Sequence, residues 1–299
     1  MKPAIIYFVS AFMFLLSCND PATGKKENMN TTMSDSINFK SGYSGVNGIK
    51  MYYEIYGQGK PLMLLHGGGS TIQSSFGRII PLLAGHFTVI AVDLQNHGRS
   101  GSRNIPQTFE QDADDVAVLL KNIGISKTSF LGFSNGGTTA MQIAIRHPEI
   151  ADKLVLAAAA YKRDGFLPGF FDGMKQATIS NMPQELKTAF LEVNTDTAKL
   201  QIMFERDRDR MIGFKDLTDE QVRSITAPTL VINGDADVIR TEHAVEIYRL
   251  IPNCQLAIIP GGHGKYIGEI TTVSKDNHDI EFVVPMIREF LDRPNEFKK

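Results

Sequence analysis

The stretch that decides the fold runs from Phe130 to Gly137 and reads Phe-Leu-Gly-Phe-Ser-Asn-Gly-Gly. It places Ser134 between two glycines, directly after an apolar run and directly before a helix-like pattern. This G-x-S-x-G spacing is typical of a sharp strand-to-helix turn that exposes a serine hydroxyl. Gly132 and Gly136 lack a Cβ, so the positions on either side of the serine can approach each other without a clash. The pattern makes Ser134 a candidate nucleophile, although five-residue patterns also occur by chance.

A second segment, upstream, supplies what a serine nucleophile needs. The apolar run Pro61–Leu65 ends in the loop His66–Ser70, which is rich in glycine. Such a run predicts a buried strand, and the glycines that follow it present backbone N–H groups freely. One of these groups, paired with the N–H of the residue after the nucleophile, forms an oxyanion hole. We assign the two donors to Gly68 and Asn135, with a plain flexible turn as the alternative interpretation of the glycines.

Two later segments each end a strand pattern in a loop that carries an ionisable side chain. Leu230–Asp237 ends in a Gly-Asp-Ala-Asp turn, and Leu256–Gly264 ends in a loop that contains His263. A serine hydroxyl is a weak nucleophile, so it needs a base, and the base needs a carboxylate to hold its tautomer. Histidine suits the base because its unperturbed pKa of about 6.5 lies near neutrality. We therefore predict Ser134 as nucleophile, His263 as base and acid, and one of the two carboxylates of the turn, Asp235 or Asp237, as orienting acid.

The order serine, aspartate, histidine, with each residue just past a strand, resembles the α/β-hydrolase fold family. The resemblance extends over Gly42–Phe290 and is supported by Met51–Gly57 before the oxyanion loop. Val92–Ser100 resembles the D-x-x-x-H-G-x-S loop of the family. The resemblance implies an α/β fold with a mostly parallel eight-stranded sheet flanked by helices. It also implies a helical cap inserted after the sixth strand.

Other ionisable residues compete for the catalytic roles. The G-x-x-D pattern of the family selects Asp237 as the acid, which leaves Asp235 to cap the turn. His66 and His97 lie in loops where the resembled histidines hold loops together by hydrogen bonds, so we expect structural roles for both. His147 precedes a proline and is expected to end a helix. The remaining histidines lie outside any catalytic motif: His86, His243 and His278.

Composition narrows the function classes. A chain of 299 residues with 42% hydrophobic content can bury a large core, and a net charge of -2 without a basic stripe argues against a nucleic-acid partner. Short apolar runs alternate with helical patterns such as Phe109–Ile123 and Thr138–Arg146, which predicts a mostly parallel sheet. H-E-x-x-H, C-x-x-C and G-x-G-x-x-G motifs are missing, so we expect neither a metal nor another cofactor. The sign-alternating run Glu205–Arg210 predicts a solvated helix face with local ion pairs.

The first residues resemble an export signal. Two residues, Met1 and Lys2, precede a short apolar run over Ala4–Leu16, which is too short to span a bilayer and fits a signal-peptide core. Ser17 directly before Cys18 resembles a bacterial lipoprotein processing site, which implies that Cys18 becomes the lipidated first residue. We predict an exported protein that is anchored by lipid to the bacterial cell envelope. A plain secretory signal is the alternative.

These patterns divide the chain into a signal peptide (1–17), a polar tether (18–38), a core (39–160 and 226–299) and a cap (161–225). The tether is poor in apolar residues, which predicts a disordered linker between the lipid anchor and the core. The cap is rich in phenylalanine and methionine, which either pack or line a cleft that favours apolar ligands. These residues are Phe166, Phe170, Phe171, Met174, Met182, Phe190, Met203, Phe204, Met211 and Phe214.

Together the motifs predict a cofactor-free serine hydrolase. It would cleave a small apolar acyl or aromatic ester or lactone through an acyl-enzyme on Ser134. A carbon–carbon bond hydrolase and an acyltransferase on the same fold remain alternatives. A non-catalytic binding protein that retains the pocket is the alternative from another class, and the intact Ser-Asp-His pattern argues against it. The sequence does not indicate an oligomeric state.

Overall fold

The apolar runs identified in the sequence form the strands of one mixed sheet in a computed structural model that describes residues 38–274 and 277–294. The predicted signal peptide, Cys18 and all of the tether except residue 38 lie outside the described residues. The strands are β1 (Phe39–Val46), β2 (Ile49–Tyr56), β3 (Lys60–Leu65), β4 (Phe87–Val92), β5 (Thr128–Phe133), β6 (Ala151–Ala157), β7 (Thr229–Gly234) and β8 (Cys254–Ile259).

The strand order is β1-β2-β4-β3-β5-β6-β7-β8. The β1–β2 and β2–β4 pairs are antiparallel, and every other neighbouring pair is parallel. This topology confirms the predicted α/β-hydrolase fold with its mostly parallel eight-stranded sheet. Because parallel strands end at the same edge, the loops after β3, β5, β7 and β8 can meet there.

Helices cover both faces of the sheet. They are α1 (Ile72–Phe76), α2 (Ile80–Ala84), α3 (Phe109–Asn122), α4 (Asn135–Arg146), α5 (Phe170–Gln176), α6 (Gln184–Val193), α7 (Thr197–Ile212), α8 (Asp219–Arg223), α9 (Thr241–Leu250) and α10 (Ile280–Asp292). Within β3, Leu62 and Leu64 belong to one buried apolar cluster and Met63 and Leu65 to another. This alternation explains why β3 is apolar from Leu62 to Leu65, since a strand segment covered on both sides has no solvated face.

The segment between β6 and β7 contains α5, α6, α7 and α8. Phe190 and Met203 pack in a small apolar cluster of their own within this segment. Val222 and Ile225 pack instead with the core sheet, although they lie within the range 161–225 predicted for the cap. In the described part of the chain, every helix falls short of the length and apolarity needed to cross a bilayer.

The start of one predicted helix was displaced by three residues. Helix α4 begins at Asn135, three positions before the predicted start at Thr138, because the helix opens directly after the turn at Ser134. The turn leaves no linker residues, so the first helical N–H groups lie beside the serine. Helix α4 ends at Arg146, with His147 as its C-cap before a proline, as predicted.

Candidate active site

Ser134 occupies the sharp turn between β5 and α4. Its backbone angles, φ 53° and ψ -120°, lie in a region that is strained for any residue except glycine. A Cβ on Gly132 would lie 2.2 Å from the carbonyl oxygen of Gly136, and one on Gly136 would lie 2.0 Å from that of Leu65. These contacts are with backbone atoms that cannot rotate away. Both glycines are therefore required by the turn that exposes the serine.

Ser134, His263 and Asp237 form a continuous line of hydrogen-bonding distances. His263 Nε2 lies 3.0 Å from Ser134 Oγ, and His263 Nδ1 lies 2.7 Å from Asp237 Oδ1. Asp237 Oδ1 also accepts the N–H of Ile239 at 3.0 Å, which fixes the carboxylate. A carboxylate on Nδ1 keeps the hydrogen there and turns Nε2 toward the hydroxyl as an acceptor. The structure thus brings together the three residues predicted for nucleophile, base and acid.

Asp235, the competing carboxylate, is bound to a backbone N–H, whereas Asp237 is the carboxylate bound to His263. Asp235 is exposed, and its Oδ1 accepts the N–H of Gly261 at 2.8 Å. This bond ties the turn after β7 to the loop that carries the histidine. The geometry therefore assigns Asp235 a role in holding the loop, in agreement with the choice of Asp237 from the G-x-x-D pattern.

The two predicted oxyanion-hole residues lie side by side at the cavity that contains Ser134. Asn135 is the first residue of α4, so its N–H has no acceptor within the helix. A Cβ on Gly68 would lie 2.5 Å from Asn135 Nδ2, so glycine is the residue that fits between the loop and the helix. The loop that contains Gly68 and the start of α4 therefore meet at the cavity that contains Ser134.

A cavity of about 370 Å³ opens above Ser134 and His263. Six of the ten phenylalanine and methionine residues singled out in the cap sequence line it: Phe166, Phe170, Met174, Met182, Phe204 and Met211. Leu186 and Val238 add to this apolar wall. Phe190 and Met203 pack within the cap, and Phe214 belongs to the core. The cavity walls are predominantly apolar.

Local ion pairs form within Glu205–Arg210 as predicted, but the expectation that the whole run is solvated was wrong for Asp207 and Arg210. Asp207 and Arg210 are buried, with exposed fractions of 7% and 6%, whereas the neighbouring Asp209 is mostly exposed. Arg210 Nη2 lies 2.5 Å from Asp207 Oδ1, and its Nη1 lies 2.7 Å from Asp112 Oδ2 on α3. These contacts join the cap helix α7 to the core through a buried ionic network.

The burial of Asp207 and Arg210 is indicated in the sequence by their helical spacing from apolar residues. Leu200, Met203, Asp207 and Arg210 follow one another at intervals of three and four residues, which places them on one face of a helix. Sign alternation has a period of two, so it cannot describe a face whose period is 3.6. The apolar start of the stripe, at Leu200 and Met203, indicated that the two charged residues also face inward.

His97 completes the buried network from the core side. Its Nε2 lies 2.7 Å from Asp207 Oδ2, and its Nδ1 lies 2.8 Å from the carbonyl oxygen of Gln95. A carbonyl and an ionised carboxylate can only accept, so both ring nitrogens carry hydrogen and His97 is an imidazolium. Burial acts to lower the pKa of His97, but the Asp207 carboxylate raises it above its usual value. Burial likewise opposes ionisation of Asp207, but Arg210 and His97 hold its pKa well below the usual range.

His66 lies against His97, with ring centroids 4.7 Å apart, but is neutral. Its Nε2 accepts the N–H of Leu94 at 3.0 Å, so its hydrogen is on Nδ1, which donates to Gly67 O at 2.7 Å. Burial and the neighbouring cation His97 lower the pKa of His66 to about 3. The predicted loop-holding roles of His66 and His97 are therefore confirmed by their hydrogen bonds.

Outside this cavity, Asp164, His243 and Glu246 place potential metal-ligand atoms within 4.8 Å of one another. The Lys162 ammonium pairs with Glu246 and lies 3.9 Å from Asp164, so it already supplies positive charge to the group. His243 Nε2 accepts the N–H of Tyr161 at 3.1 Å, which leaves hydrogen on Nδ1, the nitrogen that faces Glu246. These contacts do not fit a metal site.

Comparison with known proteins agrees with this arrangement. A family model described as the alpha/beta hydrolase fold matches residues 60–184, a range that contains Gly68 and Ser134. A 2-hydroxy-6-oxo-6-(2'-aminophenyl)hexa-2,4-dienoic acid hydrolase of Metapseudomonas resinovorans is 25% identical over 73% of this chain and 82% of its own length. The serine hydrolase BPHL of Homo sapiens is 28% identical over 77% of this chain and 84% of its own length.

Among solved structures, the chain is similar to a serine hydrolase involved in carbazole degradation, the CarC enzyme. The TM-score is 0.69 at 24% identity, over 85% of this chain and 99% of that one. Together with the sheet topology and the family match, this shows that the chain has the α/β-hydrolase fold. The relatives differ in the reactions their names describe, so the fold leaves the substrate to be argued from the site.

Proposed function

We propose that this protein is a serine hydrolase that cleaves a small carboxylic ester or lactone. The observation that carries the proposal is the continuous line from Ser134 Oγ through His263 to Asp237, placed at the base of an apolar cavity. The reaction follows from these positions. His263 Nε2 takes the proton as Ser134 Oγ attacks the carbonyl carbon, and Asp237 stabilises the imidazolium that forms.

The backbone N–H groups of Gly68 and Asn135 donate hydrogen bonds to the carbonyl oxygen and stabilise the negative charge that develops on it. His263 then returns its proton to the departing alkoxide, which leaves an acyl group on Ser134. In the second half-reaction, His263 takes a proton from water, which attacks the acyl carbon and releases the acid. The serine regains its proton from His263, so the cycle closes without a cofactor.

The cavity favours a substrate whose acyl group is neutral and apolar. Its ionisable lining groups besides His263 are Asp207 and Arg208. Asp207 is occupied by Arg210 and His97, and Arg208 donates to Asp209 at 2.8 Å while its guanidinium lies over the ring of Phe204. Six phenylalanine and methionine side chains line the cavity, together with Leu186 and Val238. An aliphatic or aromatic acyl group therefore fits this surface better than a sugar or a charged peptide.

A panel of p-nitrophenyl esters and lactones of varied chain length tests the reaction class. We expect kcat/KM to rise with the first few acyl carbons and then fall as the cavity fills. Ser134 should react with a fluorophosphonate, and Ser134→Ala should not. A folded wild-type protein that neither hydrolyses the panel nor reacts with the probe would support the non-catalytic binding alternative instead.

A carbon–carbon bond hydrolase is the second candidate, because the Metapseudomonas resinovorans relative is named for a 2-hydroxy-6-oxo-hexadienoic acid substrate. Turnover of 6-aryl compounds of that class with a higher kcat/KM than any ester would favour this candidate. Acyl transfer is separated from hydrolysis by adding a small alcohol and measuring how the acyl group divides between alcohol and water.

We also propose that the mature protein is exported and lipid-anchored through Cys18, on the strength of the Ser17–Cys18 processing pattern after a short apolar run. Metabolic labelling with a fatty acid tests this in the bacterial host. Label should enter the wild-type protein, and Cys18→Ala should remain unlabelled. Secretion of an unlabelled wild-type protein would support a plain secretory signal.

A further inference from the structure

The cap supplies a carboxylate that binds directly to the oxyanion loop. Asp207 Oδ2, on α7, accepts the N–H of Gly69 at 2.5 Å. The same oxygen lies 3.2 Å from the position that a Cβ on Gly68 would occupy. Asp207 lines the cavity together with Ser134 and Gly68. A side chain separated from the loop by 138 positions in the sequence is therefore a hydrogen-bond partner of the residue next to a proposed oxyanion donor.

Asp207 is itself held in place on both of its oxygens. Arg210 contacts Oδ1 at 2.5 Å, and the His97 imidazolium contacts Oδ2 at 2.7 Å. Arg210 is in turn bound to Asp112, and His97 to the carbonyl of Gln95. Charge-assisted hydrogen bonds are short and directional, so a carboxylate fixed by two cations is a rigid acceptor. Gly69 N–H is thus bound to an atom that has little freedom to move.

The loop needs such a restraint because of its composition. Three consecutive glycines, Gly67 to Gly69, lose more conformational freedom on ordering than other residues would. Gly67 is held on the strand side, where its carbonyl accepts from His66 Nδ1 and its N–H donates to Ser75 Oγ at 3.3 Å. Gly69 has φ +68° and is held on the other side by Asp207. Gly68 lies between these two restrained peptides.

We propose that Asp207 is a positioning residue that sets the direction of the Gly68 N–H by holding the Gly69 peptide from the cap. This inference rests on the proposed hydrolysis and deepens it, because it makes the cap part of the oxyanion hole. Asp207 does not touch the reacting atoms. Without Asp207, the Gly68 N–H is no longer held in the direction of the reacting carbonyl oxygen. Because this donor is needed chiefly in the transition state, kcat falls more than KM rises.

The experiment compares four variants in the full chain with a p-nitrophenyl ester that the wild type hydrolyses. Asp207→Asn keeps an oxygen that can accept from Gly69 but loses the charge, and Asp207→Ala removes the acceptor. Asn194→Ala removes a different contact between cap and core, the donation from Asn194 Nδ2 to the carbonyl oxygen of Gly98 at 2.8 Å, and leaves Asp207 with all of its partners. Asp209→Asn makes the identical chemical change at an exposed position two residues away.

The expected order of kcat is wild type, then Asp207→Asn lower by about 10-fold, then Asp207→Ala lower by about 100-fold, with KM within about 3-fold throughout. The rate of fluorophosphonate labelling of Ser134 should fall in the same order. Asn194→Ala should keep kcat within about 3-fold of wild type even though its Tm falls. Asp209→Asn should match the wild type in both.

A purely structural role predicts a different pattern. The inference is wrong if Asp207→Asn and Asp207→Ala, folded by circular dichroism, retain wild-type kcat. It is equally wrong if Asn194→Ala loses as much kcat as Asp207→Asn, since cap attachment in general would then be responsible. A wild type that shows neither hydrolysis nor labelling overturns the proposed function and this inference together, whereas an active wild type with the wrong variant order overturns the inference alone.

Discussion

Two aspartate–histidine pairs meet at the same cavity and have the same length, 2.7 Å, yet their surroundings suit them to opposite purposes. In the first, His263 is bound to Asp237, its side chain is 30% exposed, and its second ring nitrogen faces the Ser134 hydroxyl. In the second, His97 is bound to Asp207, its side chain is 0% exposed, and its second ring nitrogen faces a backbone carbonyl.

The partner of the second nitrogen decides what each pair can do. A hydroxyl both donates and accepts, so His263 can take a proton and return it. A carbonyl only accepts, so the hydrogen on His97 Nδ1 has nowhere to go, and the ring remains a fixed cation. An aspartate at hydrogen-bonding distance from a histidine therefore does not by itself indicate a catalytic pair. Four predictions test this contrast between the two pairs.

The largest effect is expected for Ser134→Ala, which removes the hydroxyl that distinguishes the His263 pair. Hydrolysis of a p-nitrophenyl ester should fall by about 10⁴-fold or more, because the histidine no longer has a proton to take. The thermal unfolding midpoint should remain close to that of the wild type, since no buried contact is lost. Steady-state kinetics and circular dichroism melts measure the two. Activity that survives would mean that another residue is the nucleophile.

The second prediction separates the two histidines by the property each controls. His97→Ala leaves the Asp207 carboxylate buried without one of its cations, so the free energy of unfolding should fall by about 3–5 kcal/mol. His263→Ala leaves a partly exposed site and should cost less than about 1 kcal/mol while abolishing hydrolysis. Urea unfolding and ester kinetics on both variants test the contrast. Equal losses of stability from the two changes would contradict it.

The third prediction uses pH to detect the fixed cation. The pKa of His97 is raised in the folded protein, so its stabilising contribution is complete below the unfolded pKa of about 6.5 and is lost as pH rises through the folded pKa. The stability difference between the wild type and His97→Gln should therefore shrink above about pH 6.5, by at most about 1.4 kcal/mol per pH unit. Urea titrations between pH 6 and 9 measure it. A difference that stays constant over this range would show that His97 is not a cation.

The smallest effect is expected for Asp209→Asn. Asp209 belongs to the same charged run as Asp207, but its side chain is 60% exposed and pairs with Arg208 at the surface. Exposed ion pairs contribute little, so the free energy of unfolding should change by less than about 0.5 kcal/mol. Chemical denaturation measures it against the wild type. A loss as large as that of Asp207→Asn would mean that burial does not distinguish the two carboxylates.

Much of the catalytic arrangement was predictable because its signals are local. Gly132, Ser134 and Gly136 are required by one turn, and the clashes that a Cβ would cause there are with nearby backbone. Asp237 and His263 each follow a strand, and parallel strands bring such loops to one edge of the sheet. A short apolar run followed by the right residue was therefore enough to place each of them, and the structure brings all three within hydrogen-bonding distance.

The ionic network was missed because its members are far apart in the chain. Asp207 and Arg210 were interpreted as solvated since only their neighbours in sequence were considered. Their real neighbours are His97, Asp112 and Gly69, which belong to the core. The i+3 spacing on α7 could have indicated an inward face, but not what that face would contact. Whether a charged residue is buried or solvated depends on how the cap lies on the core.

By itself, the sequence determined the fold class, the turn that exposes Ser134 and the order in which its partners follow, because steric limits and strand periodicity act over a few residues. Tertiary structure alone decided that Asp207 belongs with the oxyanion loop, that His97 is a cation while His66 is neutral, and that Asp235 is bound to Gly261. These properties depend on hydrogen-bond partners and burial, which arise only when separate segments pack together: Asp207 lies 110 positions from His97 and 138 from Gly69.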